Sequence, residues 1–166
     1  MRKLKLAAMA TLAAATAAGP VAAATISGNM NVKISITNEC KTVTATDLDF
    51  GSSGVISAAI DATSTITVTC TKGTPFSVGL GQGLNGASVT ARKMKIAAGA
   101  ELLDYQLFRD SGRTLNWGNT VGTDTPAQST ATGAAQTLTV YGRVPIPAVQ
   151  PSAGTFNDTV AVTVTY

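Results

Sequence analysis

The chain has 166 residues, with 12 Lys and Arg against 9 Asp and Glu, two cysteines and no histidine. That length suits one domain with a real core, and a chain rich in Thr, Val, Ala and Gly but poor in charge suits an all-β protein. Without His, a zinc site lacks its usual ligand partner for Cys, and no Ser or Cys has the usual base to activate it.

Met1–Ala24 reads as a cleaved signal peptide. Arg2, Lys3 and Lys5 form a basic start, Leu6–Ala18 is apolar, Gly19-Pro20 breaks the run, and Ala22 and Ala24 fit the small-residue cleavage rule. The apolar stretch is short for a membrane span of roughly 20 residues. Removing the leader takes three cations and no acid, leaving nine against nine. A neutral mature chain does not ask for nucleic acid or an anionic membrane, and it permits close self-association. Export also implies one disulfide, Cys40–Cys70.

Thr25–Ile36 (TISGNMNVKISI) alternates with period two: Ile26, Gly28, Met30, Val32, Ile34 and Ile36 on one face, polar residues on the other. That is a strand longer than the usual five or six residues. Asp47–Gly51 reads as a short strand closed by the Gly51–Gly54 turn. Thr63–Thr71 alternates, with Ile66, Val68 and Cys70 inward. Strands follow at Phe76–Leu80, Ser88–Ile96 and Leu103–Phe108, divided by Asn85-Gly86 and other turn signals. Leu115–Gly118 is a short strand or ordered loop around the only Trp. Asn119–Ala135 reads as a mobile loop, Gln136–Val144 as a strand and Pro145–Gly154 as an irregular crossing. Phe156–Tyr166 closes as one alternating strand. Seven or eight short strands with no helix after the leader predict an antiparallel, immunoglobulin-like sandwich.

Several motifs yield to plainer readings. Gly81–Gly86 matches GxGxxG, but β-like SVTARKMKI follows where a phosphate site needs a helix N-terminus. Asp47, Asp49, Asp104, Asp110 and Asp158 mostly sit beside predicted turns, the common place for Asp. Asn157-Asp158-Thr159 fits a glycosylation sequon and is read as a turn. Trp117 with Arg109 and Arg113 could line a sugar site, though packing is the more frequent role of a Trp. No catalytic constellation, cofactor or metal is expected.

Taken together, several segments resemble the spore coat protein U domain, the subunit type of archaic, Csu-like chaperone–usher pili. The resemblance rests on TISGNMNVKISI before Cys40, Leu48–Gly51, TITVTC, Tyr105–Asp110, Trp117-Gly118, Val140–Arg143 and the run Gly154–Tyr166. Gln106 and Phe108 stand where the family often has Asn and Tyr.

The resemblance implies an immunoglobulin-like domain lacking its last strand, completed by donor-strand exchange. Residues 25–36 would be the donor strand, carrying Ile26, Gly28, Met30, Val32, Ile34 and Ile36, and residues 37–166 the pilin domain. The acceptor groove and chaperone contact would be Val160, Val162, Val164 and Tyr166. A periplasmic chaperone would fill the groove first. A neighbouring subunit's strand would replace it at the outer-membrane usher, giving a cell-surface pilus of a Gram-negative bacterium with roles in adhesion and biofilm formation. The chain ends on a core-type strand with nothing to cover its edge, and an uncovered edge is a liability. Five aliphatic donor side chains at about 1.5–3 kcal/mol each are comparable, before ordering costs, to a whole domain's stability. The subunit should thus be marginal alone and very stable in a chain. One domain with one donor strand fits a shaft or minor subunit, since a tip adhesin should carry a further receptor-binding domain. The alternative is a self-contained secreted binding module or coat protein, contacting its target through Trp117 and Asn119–Ala135.

Overall fold

The computed structural model describes Gly19 and residues 22–166; most of the expected leader, Met1–Ala18 with Pro20 and Val21, lies outside the described residues. The chain divides between Ile34 and Ser35. In the N-terminal unit, residues 22–34 form no strand, and Ile26, Met30, Val32 and Ile34 are 98%, 83%, 86% and 82% exposed.

In Ser35–Tyr166, β-branched residues set against polar ones build nine strands and, among the described residues, no helix. They are β1 (Cys40–Ala45), β2 (Ile60–Cys70), β3 (Pro75–Leu80), β4 (Arg92–Ile96), β5 (Leu102–Phe108), β6 (Ser129–Thr130), β7 (Gln136–Val144), β8 (Phe156–Asn157) and β9 (Val162–Thr165). One sheet runs β1-β2-β7-β5-β4-β8 and the other β6-β3-β9. Every pairing is antiparallel. This is the expected all-β, immunoglobulin-like sandwich.

The alternation read from the sequence fixes which side chains enter the core. Ile66, Val68 and Cys70 of β2, Val140 and Val144 of β7, and Tyr105 and Leu107 of β5 are buried from the large sheet. Phe76, Val78 and Leu80 of β3 meet them from the small one. Cys40 and Cys70 face each other across β1 and β2 and form the disulfide. Its closed loop constrains the unfolded chain.

Four local expectations change. Asp47–Gly51 is not a strand: Leu48 and Phe50 turn their side chains onto Gly142 of β7, where a Cβ would lie 2.7 Å and 3.0 Å from them. That hollow recruits the two side chains and takes the segment out of the ladder. The strand expected from Ser88 starts only at Arg92, because 88–91 form a turn closed by Ala91 N donating to Ser88 O. Asn119–Ala135 is not simply loop: β6 pairs with Pro75-Phe76, and Thr125 and Ala131 are buried. The C-terminal run is two strands, β8 in the large sheet and β9 in the small one.

Candidate functional site

The C-terminal run keeps its alternation through the change of sheet. Phe156, Asp158, Val160, Val162 and Val164 are half-buried, and the residues between them are exposed. Crossing from β8 to β9 without losing phase keeps one side of the run facing between the sheets. There β9 pairs with β3 alone; its other edge is hydrogen-bonded to no strand among the described residues, although β1 comes close to β9. In the large sheet β1 pairs only with β2, so it too ends its sheet.

An open cleft of about 1260 Å³ lies between the layers. Ile66, Leu103, Leu107, Val140 and Val144 of the large sheet line it, as do Leu80 and Val162 of the small sheet. Two continuous stretches, Ala45–Ile56 and Gln150–Val160, complete the lining. They are tied at one end, where Gln150 Oε1 accepts from Ile56 N at 2.8 Å and Gln150 Nε2 donates to Ile56 O at 3.1 Å. One amide side chain thus imitates a strand pairing and holds Ile56 in the core.

Of the four residues expected to form the groove, Val160 and Val162 line the cleft. Val164 packs against the core beyond it. Tyr166 is 58% exposed. On the other run, Ile36 is exposed like the aliphatic residues before it, and Gly28 has open space where a Cβ would stand.

Two polar groups have roles that the sequence did not reveal: Asp158, which lines the cleft and reads in the sequence only as a turn residue, and Arg92, buried nearby. Asp158 lies where the chain leaves β8. Its Oδ2 accepts from Tyr105 Oη at 2.6 Å, and its Oδ1 accepts from Leu84 N at 2.9 Å and Asn85 Nδ2 at 3.0 Å. The loop 81–86, the GxGxxG match, is therefore a cradle for this carboxylate. Gly83 has φ +84°, and a Cβ there would run into Asp158. Burial, and then the bond to Asp158, push the Tyr105 hydroxyl above its ordinary pKa. Arg92 is 1% exposed, with no carboxylate partner. Its guanidinium instead donates to the carbonyls of Gly81, Val89, Leu80 and Trp117 at 2.7–2.9 Å. Burial lowers its pKa. Both groups announce themselves in one way: each is a charge on the inward phase of an apolar strand.

The sugar-site reading is overturned. Trp117 is 1% exposed and donates Nε1–H to Val78 O at 2.9 Å. Arg109 donates to Thr125 O, and Arg113 stacks 5.7 Å over the Tyr141 ring. Burial of the Trp also removes it as the contact residue of a secreted binding module. Among the described residues, no group of three or more His, Cys, Asp or Glu is placed to hold a metal.

This sandwich, with an unpaired edge and a cleft between its sheets, is similar to known proteins. The Spore Coat Protein U domain model matches residues 26–163. The chain belongs to the spore coat protein U domain family. Membership takes in the exposed segment from Ile26 onward as well as the sandwich. Protein U of Myxococcus xanthus is 35% identical over 182 residues, covering 100% of each chain. Among solved structures, the chain is similar to the CsuC–CsuE chaperone–tip adhesion subunit pre-assembly complex from the archaic chaperone–usher Csu pili of Acinetobacter baumannii. The TM-score is 0.58 at 26% identity, over 79% of this chain and 40% of that one. This chain thus spans less than half of that solved relative.

Proposed function

We propose that the chain is a structural subunit of an archaic chaperone–usher pilus, polymerising by laying its Thr25–Ile36 strand into the cleft of a neighbouring subunit. One observation carries the reading. A cleft lined by Ile66, Leu80, Leu107, Val140 and Val144 beside the free edge of β9 coexists with an alternating segment whose aliphatic side chains stand exposed. Strand addition to an open edge is an established mode of recognition, with donor-strand complementation of pilins among its instances. Backbone bonds along β9 supply affinity, and pockets for alternate side chains supply register.

The family and the likeness to a chaperone–pilus subunit complex support the same assignment. On this reading the last strand of the sandwich comes from another molecule, at the place marked by Val160 and Val162. A head-to-tail contact of this kind is heterologous, so it propagates as an open filament. The chain is exported to the periplasm behind its leader, held there by a chaperone, passed to an outer-membrane usher and displayed in a surface fibre serving adhesion and biofilm formation. Its neighbours are copies of itself or related subunits.

The test is removal of Thr25–Ile36 from the expressed chain. Detergent- and heat-resistant multimers should disappear while binding to the periplasmic chaperone persists. Multimers that survive the deletion would refute the reading.

A further inference from the structure

Three connections meet at one end of the sandwich: 46–59, 97–101 and 145–155. Besides the Ile56–Gln150 pair, Ala97 N donates to Thr155 O at 2.9 Å and Ser152 N to Glu101 Oε1 at 3.0 Å. Val55 (76%), Leu102 (45%), Ile146 (58%) and Val149 (83%) are exposed here. Across 46–59, 97–101 and 145–155 the charged residues are Asp47, Asp49 and Glu101, and Lys95 stands opposite Leu102 in the ladder. The cleft opens at this end, since Val55, Ile56 and Gln150–Thr155 line it.

The direction of an added strand decides what arrives here. Every pairing in the sandwich is antiparallel, so a strand added to β9 in the same sense runs from the Tyr166 end towards Phe156. Ile26–Ile36 and Phe156–Tyr166 are runs of equal length, each alternating on even numbers. Full pairing sets Ile36 level with Phe156, at this mouth. The donor has no slack beyond that point. Thr37 O accepts from Thr71 Oγ1 at 3.1 Å and Glu39 O accepts from Thr71 N at 2.8 Å. Its own sandwich therefore holds the chain from Thr37 onward. Even the three residues Thr37–Glu39, if freed, would span only about 10 Å.

We propose that the end bearing Val55, Leu102, Ile146 and Val149 seats the body of the next copy in the fibre, so that neighbouring subunits touch through a surface as well as through a strand. This inference rests on the strand-insertion reading above. The occupant is a second copy of this chain, presented by its Cys40 end. The patch suits it: its exposed large side chains are aliphatic, its few charges are of mixed sign (Asp47, Asp49, Glu101 and Lys95), and it is continuous with the mouth the strand passes through. The neutral mature chain sets up no net repulsion between copies.

Photo-crosslinking of fibres assembled from the full chain tests it. A p-benzoylphenylalanine probe replaces Val149 or Ile146, and in separate strains Met30 or Thr139. Thr139 is exposed midway along β7, opposite Thr65 of β2 and away from this end. After irradiation and complete denaturation, probes at Val149 and Ile146 should join a second copy near its Cys40 end, at ten-fold or more the yield from Thr139. Yields no higher than from Thr139, or joining to a different protein, overturn the contact when the Met30 probe still links copies. Absence of the Met30 product removes strand insertion itself, and this contact with it.

Discussion

Asp158 sits on the half-buried face of the C-terminal run and accepts three hydrogen bonds, one from Tyr105 Oη, one from Leu84 N and one from Asn85 Nδ2. Asp158→Ala removes all three and leaves the part-buried Tyr105 hydroxyl without its acceptor. With about 1 kcal/mol for the exposed bond to Leu84 and about 1.5 kcal/mol for each part-buried one, the loss is about 4 kcal/mol. That is a large share of a domain stability of roughly 5–15 kcal/mol. Asp158→Asn keeps most of the geometry. Its amide oxygen still faces Leu84 and Asn85, and its NH2 can donate to Tyr105 Oη, for a loss of about 1 kcal/mol. Urea unfolding of the oxidised mature chain, followed by fluorescence of the single buried Trp117, measures both. The linkage matters for the cleft because Asp158 stands between β8 and β9, so its loss should also lower fibre yield. An alanine variant within about 1 kcal/mol of the parent, or equal to the asparagine variant, would refute the argument.

Gly142→Val places side-chain atoms where Leu48 and Phe50 rest, 2.7 Å and 3.0 Å from a Cβ; a loss of about 1–3 kcal/mol is expected, read as a lower unfolding midpoint. Tyr105 gives a pH dependence. Its folded pKa is raised above 10.0, by burial first and by Asp158 second, so its contribution is complete below about pH 10 and declines as the pH rises further and the unfolded chain loses its proton first. Tyr105→Phe should flatten that alkaline decline in a pH series of denaturation midpoints. Arg92→Met strands four carbonyl oxygens that the guanidinium now satisfies. It should cost about 3 kcal/mol or more, with Arg92→Lys intermediate in the same unfolding assay.

Much of this molecule is legible in its period-two patterns. Thr63–Thr71, Gln136–Val144 and Leu103–Phe108 read as strands with the correct faces inward because a strand's side-chain period is fixed by covalent geometry. The disulfide was legible as well, since an exported chain with two cysteines has one pairing available. The resemblance carried by Leu48–Gly51, Tyr105–Asp110 and the C-terminal run led to the family that the whole-domain match establishes.

Tertiary structure alone decided the rest. Alternation says which residues share a face but not which sheet a strand joins, so Phe156–Tyr166 reads as one strand although it serves two sheets. Leu48 and Phe50 left the ladder because Gly142, distant in sequence, lacks a side chain beneath them. Asp158 reads as an ordinary turn residue and Arg92 draws no notice until the fold supplies donors for one and carbonyls for the other. The cleft belongs to the same class. Val160 and Val162 mark it in the sequence, but its other walls come from β1, β2, β3, β4, β5, β7 and β8 and from the stretches 46–56 and 150–155. Only the packing of the two sheets brings those walls together. What the sequence determined was the set of faces to be buried; what the fold determined was that one such face, beside β9, is left open.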